Sequence, residues 1–251
     1  MSGIRLFRES DALIVVDVQP TFMPGGGLAV RGGDEVVPIV RDMMEKFDKR
    51  FATLDRHPRG HISLASSYVW YEGTGVKDVP QTPTPPPMSV LTKDFITIVE
   101  PAPHAAFGHV DLHHYVKEVG SQVLWPDHAI AGTAEAELHP DLPDIAFDFI
   151  QVKGMDPECD SYSGFYDNLR RPTGFADIVA ASGAKRLFIC GLAYDFCVGW
   201  TALDARVALP NTAVFVIEDA CRSVDMPGSV EAMNAALEDA SIQRIKNDFW
   251  L

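Results

Sequence analysis

A cysteine at the first turn of a helix, just beyond a buried strand, is well placed to act as a nucleophile. Residues 189–209, ICGLAYDFCVGWTALDARVAL, put Cys197 in that position: an apolar run ends at Gly191, a short polar turn follows, and helical spacing begins near Phe196. Unpaired backbone N–H groups and the helix dipole there favour a thiolate and can hold a developing oxyanion. The plainer alternative is a small buried hydrophobe, the usual fate of a free cysteine. Asp17 and Lys153 stand at the carboxyl ends of two other apolar runs, where a single charge often does no more than meet solvent. Taken with Cys197 they form a chemical set. A lysine ammonium stabilises a thiolate, and a carboxylate can take the thiol proton and return it to a leaving amine. The set suits acyl transfer from an amide.

Asp55, His57 and His128 make a second group, with His61 nearby. One carboxylate and two imidazoles suit zinc, manganese or iron, although Asp-x-His also arises by chance and His128 is remote in sequence. His104, His109, His113 and His114 fall in a polar stretch and read as solvated surface residues.

The elements that must position these groups follow from the hydrophobic pattern. ALIVVDV (residues 12–18) reads as a strand buried on both faces, and residues 35–47 have helical spacing with Pro38 in the first turn. A short strand ends at Asp55, a third (IAFDFIQVKG) at Lys153, and KRLFICG and TAVFVIEDAC supply two more, with IQRIK as an edge strand. Residues 174–183 and GSVEAMNAALEDAS read as helices. Strands alternating with helices predict one three-layer α/β/α domain over residues 1–251, with a doubly wound, mainly parallel sheet of about six strands. Residues from about 68 to 122 break this rhythm and read as an insertion before Trp125, with some structure around LTKDFITIVE; TPTPPP (residues 82–87) excludes helix or central strand. The glycines after the first strand fit neither GxGxxG nor GxxxxGK[ST], which argues against a nucleotide site.

The formal net charge of -14 argues against nucleic acid or an anionic membrane as partner. Four cysteines without CxxC spacing, no apolar run of membrane-spanning length, and charges in MSGIRLFRESD where a signal peptide needs its apolar core predict a cytoplasmic protein.

The segments VVDVQPTFMPGGGLAV, LDRHPRGHIS, WPDHAIAGT, VKGMDPECDSYSGFYDN and CGLAYDFCVGWTALDA occur in the order and style of nicotinamidases, within the isochorismatase-like cysteine hydrolases. This resemblance covers most of the chain outside the insertion and the termini. It implies hydrolysis of nicotinamide to nicotinate and ammonia, in NAD salvage, through a cysteine thioester. Asp17 would be the general base, Lys153 its electrostatic support and Cys197 the nucleophile. A cis peptide is implied around Leu192 and Ala193, with the N–H groups of Ala193 and Cys197 as oxyanion hole. Asp55, His57 and His128 match the family's ligands for one divalent metal ion per subunit, zinc foremost, which would hold the pyridine nitrogen. His61 matches a position that ligates in only some relatives. Phe22, Trp125 and Tyr162 match the aromatic residues lining the substrate pocket. Ala129 and Ala131 replace the cysteine and glutamine of the family's WPDHCVQGT, which bears on local packing. A homo-oligomer and the role of the insertion are left open. Two rival readings stand beside this one: a related amidase acting on a carbamoyl or ureido substrate, and a metal-dependent binding protein without catalysis.

Overall fold

In the computed structural model, which describes residues 9–71 and 84–248, the first apolar run forms β1 (Asp11–Val16), every residue of which is buried. The strand stops one residue short of Asp17, whose φ of 48° turns the chain. Helix α1 (Val36–Met44) follows and buries Val36, Val37, Val40, Met43 and Met44. It is shorter than the periodicity of residues 35–47 predicts: Gly33–Glu35 form a separate turn of tighter helix before it, and the helix ends at Met44. Strand β2 (Lys49–Asp55) ends on Asp55 as expected.

The stretch before Trp125 holds more regular structure than its composition suggests. It contains β3 (Tyr68–Trp70), β4 (Ser89–Leu91), β5 (Val99–Pro101) and α2 (Leu112–Val119), and β6 (Gln122–Leu124) closes it. The helix α2 escapes a periodicity scan because it is only eight residues long, yet its caps are ordinary: Asp111 accepts from the N–H groups of His113 and His114, and Gly120 stops it. Strands β3 and β5 pair antiparallel, as do β4 and β6. Leu91, Ile96, Val99, Phe107, Leu112 and Tyr115 build a second core with Ile62, Leu124 and Cys159 from the flanking chain. Of TPTPPP, Thr82 and Pro83 lie outside the described residues.

Beyond it come β7 (Phe149–Lys153), α3 (Phe175–Ala181), β8 (Arg186–Leu192), α4 (Gly199–Ala208), β9 (Ala213–Arg222), α5 (Ser229–Asp239) and β10 (Gln243–Ile245). The six long-range strands form one sheet in the order β10-β9-β8-β1-β2-β7, and every pairing in it is parallel. Both faces are covered by helices, the three-layer α/β/α arrangement with β10 at one edge. From β1 the chain winds outward to β2 and β7, then returns to β8 on the other side of β1 and continues to β9 and β10. The crevice between β1 and β8 is therefore the switch point of the sheet, where α/β folds bind ligands beyond the strands' carboxyl ends. Gly191 permits the close approach of these two strands: its φ is 116°, and a Cβ there would lie 2.0 Å from the Val16 carbonyl oxygen. Among the described residues no helix is long and apolar enough to cross a membrane.

Candidate active site

Four strand ends converge on the switch point. Asp17 follows β1, Asp55 closes β2, Lys153 closes β7 in direct register with Asp55, and Cys197 lies five residues beyond β8. All four are buried. The length of a lysine side chain is needed here, since Nζ must reach past β2 to the end of β1. It sits 2.9 Å from Asp17 Oδ2, 3.1 Å from Asp55 Oδ1, 3.0 Å from the Ser161 carbonyl oxygen and 3.4 Å from Cys197 Sγ. Thr53 donates to Asp17 Oδ1 at 2.5 Å. Asp17 adopts a left-handed backbone conformation uncommon for a residue with a side chain; it is held by hydrogen bonds from its own N–H to Thr53 O and from Gln19 N–H to its carbonyl. Gln19, which sequence reasoning missed, also grips the end of β2: its amide donates to Asp55 O and accepts from Asp55 N–H, both at 2.8 Å.

The electrostatics separate the partners. Burial alone would discharge Lys153, but Asp17, Asp55 and Cys197 outweigh it and hold the ammonium well above its ordinary range. Burial pushes the Asp17 carboxyl up, against the pull of Lys153 and with help from Asp55. Asp55 goes the other way: burial raises it, yet His57, Lys153 and His128 together bring it well below the usual carboxylate range. Burial also pushes the Cys197 thiol up, more than Lys153 lowers it, with Asp17 and Asp55 adding to the rise. This differs from the thiolate expected from a helix start and a nearby lysine. The reason is burial first, which the single ammonium does not offset, and then the two carboxylates that share that ammonium. The group at rest is a thiol facing a carboxylate of raised proton affinity.

The turn carrying Cys197 also differs from a plain helix start. The Leu192–Ala193 peptide is cis, where the resemblance implied one. Residues Tyr194–Val198 then make a single wide turn, closed by Val198 N–H to Ala193 O at 3.0 Å, before α4 begins at Gly199. Such π-turns recur at functional sites. Asp195 anchors the turn, accepting from Val224 N, Asp225 N and Ser229 Oγ.

Asp55, His57 and His128 form a compact donor set. Asp55 Oδ2 lies 3.1 Å from His57 Nε2 and 3.2 Å from His128 Nε2. Each imidazole places Nδ1 against a backbone carbonyl, Gly154 O at 3.0 Å and Pro126 O at 2.8 Å, so Nδ1 donates there and Nε2 is the nitrogen left to face Asp55 and a metal ion. A carboxylate and two imidazole nitrogens meeting in a buried place fit a divalent metal. His61 is not part of this trio; it groups instead with His57 and Asp160. Burial and His57 lower it to about 4, so it is a neutral imidazole. The backbone of Ala129 and Ala131 brackets His57: Ala129 O accepts from His57 N–H and Ala131 N–H donates to His57 O, both at 2.8 Å. Gly154 is required beside them: at φ 71° a Cβ would lie 2.6 Å from His57 Cε1 and 2.9 Å from Asp55 Oδ1. A Gly154→Ala variant is expected to bind the metal about 10–100-fold more weakly, measured by competition against a chromophoric chelator. Unchanged affinity would mean that a Cβ at position 154 is accommodated without displacing His57 or Asp55.

Phe22, Trp125 and Tyr162 surround a narrow cavity of about 20 Å³ together with Asp55, His57, His128, Ala193 and Cys197. Every site residue expected from the sequence thus comes to one place. Phe196 completes the aromatic wall, its ring 4.9 Å from Trp125 and 5.5 Å from Tyr162, edge to face. It also lines a wider outer cavity of about 360 Å³. Sequence reasoning missed Phe196 although it adjoins the cysteine.

The Isochorismatase domain family matches residues 11–247. A curated nicotinamidase of Acinetobacter baylyi is 37% identical over 237 residues, 94% of this chain and 92% of the relative. Among solved structures, an Acinetobacter baumanii nicotinamidase and pyrazinamidase aligns with a TM-score of 0.75 at 33% identity, covering 97% of this chain and 99% of that one. A Pyrococcus horikoshii pyrazinamidase in complex with zinc aligns at 0.64 and 28% identity, covering 94% and 99%.

Proposed function

The chain belongs to the isochorismatase family, and from that premise we propose that it is a nicotinamidase, hydrolysing nicotinamide to nicotinate and ammonia through a thioester on Cys197. The observation that carries this reading is Lys153 Nζ set between Asp17 Oδ2 and Cys197 Sγ, 2.9 and 3.4 Å away. The Cys197 thiol passes its proton to Asp17 as Sγ attacks the carboxamide carbon. Negative charge then gathers on the former carbonyl oxygen, which the N–H groups of Ala193 and Cys197 hold. Asp17 returns the proton to the amide nitrogen, the C–N bond breaks and ammonia leaves, with the acyl group on sulfur. Asp17 next takes a proton from water as that water attacks the thioester; nicotinate departs and the sulfur regains the proton. Lys153 stays an ammonium throughout, offsetting the charge on sulfur and on Asp17.

Asp55, His57 and His128 would hold a divalent ion, zinc foremost, with manganese or iron suiting the same donors. Bound there, it supplies a Lewis acid for the pyridine nitrogen. Phe22, Trp125 and Tyr162 enclose the ring and exclude water. The reading places the protein in the cytoplasm, where the Cys197 thiol stays reduced.

The test is ammonia release from nicotinamide by purified protein, with and without chelator, followed by metal analysis. Turnover that falls with chelator and returns with added zinc, at about one ion per chain, is expected. Release of ammonia from carbamoyl or ureido compounds but not from nicotinamide would replace this reading with that of a related amidase.

A further inference from the structure

Lys153 Nζ donates to Asp55 Oδ1 at 3.1 Å, to the Ser161 carbonyl oxygen at 3.0 Å and to Cys197 Sγ at 3.4 Å, and it ion-pairs with Asp17 Oδ2 at 2.9 Å, so three oxygens surround it beside the sulfur. Two of these oxygens belong to Asp17 and Asp55, anchored by the sheet. The third is the carbonyl of Ser161, in the irregular segment after β7, and no ladder fixes it. A displaced Ser161 carbonyl would let the ammonium rotate away from sulfur.

What fixes it comes from the segment before Trp125. The Asp160 carboxylate accepts Ser161 N–H on Oδ1 at 2.8 Å, which sets the peptide preceding Ser161. On Oδ2 it accepts Gln122 Nε2 at 2.7 Å. The Gln122 carbonyl oxygen receives Tyr115 Oη at 2.9 Å and Asn168 Nδ2 at 3.3 Å. Asn168 Oδ1 in turn accepts Tyr162 N–H at 3.5 Å, on the peptide that carries the Ser161 carbonyl. Both peptides flanking Ser161 are therefore tied to one side chain. Gln122 opens β6, which is paired with β4, and Tyr115 lies on α2. Gln122, Asp160 and Tyr115 are 1%, 2% and 3% exposed. Burying an amide, a carboxylate and a phenol together is costly unless each is satisfied, and an apolar cross-link would join the same elements more cheaply.

We infer that Gln122 and Asp160 are positioning residues for Lys153: through them the segment between β2 and Trp125 holds the Ser161 carbonyl, and so the ammonium, against Cys197. The inference rests on the hydrolytic reading above and gives the insertion a part in the reaction.

The test exchanges the polarity of the pair. Gln122→Glu sets a carboxylate against Asp160 Oδ2, and Asp160→Asn sets an amide NH₂ against Gln122 Nε2. The double variant Gln122→Glu/Asp160→Asn restores one donor facing one acceptor and keeps an acceptor for Ser161 N–H, Tyr115 Oη and Asn168 Nδ2, while Val123 O loses the donor that Gln122 Nε2 gives it at 3.0 Å. Each single variant is expected to lower kcat about 30–100-fold with KM for nicotinamide within about threefold, as a misplacement of 1 Å does. Alkylation of Cys197 by iodoacetamide should slow by a similar factor, and metal content should stay at that of the wild type, which separates this effect from one on the neighbouring His57. The double variant should recover to within about tenfold of wild type. Should a single variant not fold, Tyr115→Phe removes one hydrogen bond and is expected to lower kcat about threefold at unchanged KM. Single variants that keep kcat and alkylation rate while only the melting temperature falls would overturn the inference, as would a double variant no better than the singles. If wild type releases no ammonia from nicotinamide, the functional reading fails, and the alkylation rates of the same variants alone decide the inference.

Discussion

Cys197→Ala is expected to end ammonia release from nicotinamide, with kcat down by about 10⁴-fold or more, the scale on which loss of a nucleophile falls. Sγ is the nucleophilic atom facing the cavity; the other cysteines, Cys159, Cys190 and Cys221, are buried elsewhere. Fold and metal site should survive the change. The side chain lost is small, and neither Asp55 nor the two histidines depends on it, since their hydrogen bonds run to Gly154 O, Pro126 O and Gln19. The variant should therefore bind metal at wild-type stoichiometry and still bind nicotinamide by calorimetry. Mass spectrometry of acid-quenched wild type should reveal an acyl adduct on the peptide containing Cys197, absent from the variant. Turnover persisting in Cys197→Ala would exclude the thioester route.

Lys153→Met should have the second largest effect, on both activity and stability. The change leaves Asp17 and Asp55 buried across from one another without the ammonium that lies 2.9 and 3.1 Å from them. Removing one partner of a buried ionic group costs about 3–5 kcal/mol, and kcat should fall at least about 100-fold as the charge opposite sulfur is lost. The stability loss has a definite pH dependence. Burial already raises Asp17 with Lys153 present, and without the cation its folded-state pKa rises further above the unfolded value of about 4. A carboxyl with a raised folded-state pKa stabilises the fold below its unfolded pKa, and that stabilisation disappears as pH climbs through the folded value. Lys153 itself does not titrate in this range, because its own shift is upward. The gap in urea midpoint between wild type and Lys153→Met should therefore be small near pH 4–5 and wide near pH 8. A gap independent of pH would mean that the two carboxylates share no proton in the variant.

Much of the site was legible because a parallel sheet translates sequence into position. A continuous apolar run such as ALIVV is a strand buried on both faces, and its carboxyl end lies at the ligand-binding edge. Asp17, Asp55 and Lys153 could be placed from that rule alone, and Asp55 and Lys153 do stand in register. Cys197 followed from the strand-to-helix turn; His128 was grouped with Asp55 and His57 by residue type, and its place as a ligand came from the resemblance carried by WPDH.

Other features were not legible. The helix α2 is too short to show a period, and β3 to β6 have only three residues each, so composition dominated the reading of their stretch. Gln19, Thr53 and Phe196 act at the site through contacts across the fold, and nothing local distinguishes them from ordinary residues. Gln122 and Asp160 are 38 residues apart and meet at 2.7 Å, a distance set by the docking of α2 and β6 onto the segment after β7.

By itself, then, the amino-acid sequence determined which groups stand at the sheet's carboxyl edge, because strand burial and strand ends are local, periodic properties. Only the tertiary structure decided their protonation and their support. Burial, and then the two carboxylates that share one ammonium, push the Cys197 thiol up, and Lys153 is aimed by a hydrogen-bonded chain leading back to Gln122. Charge balance and hydrogen bonding of this kind depend on everything that surrounds a group after the chain has closed on itself, and no stretch of residues carries that information alone.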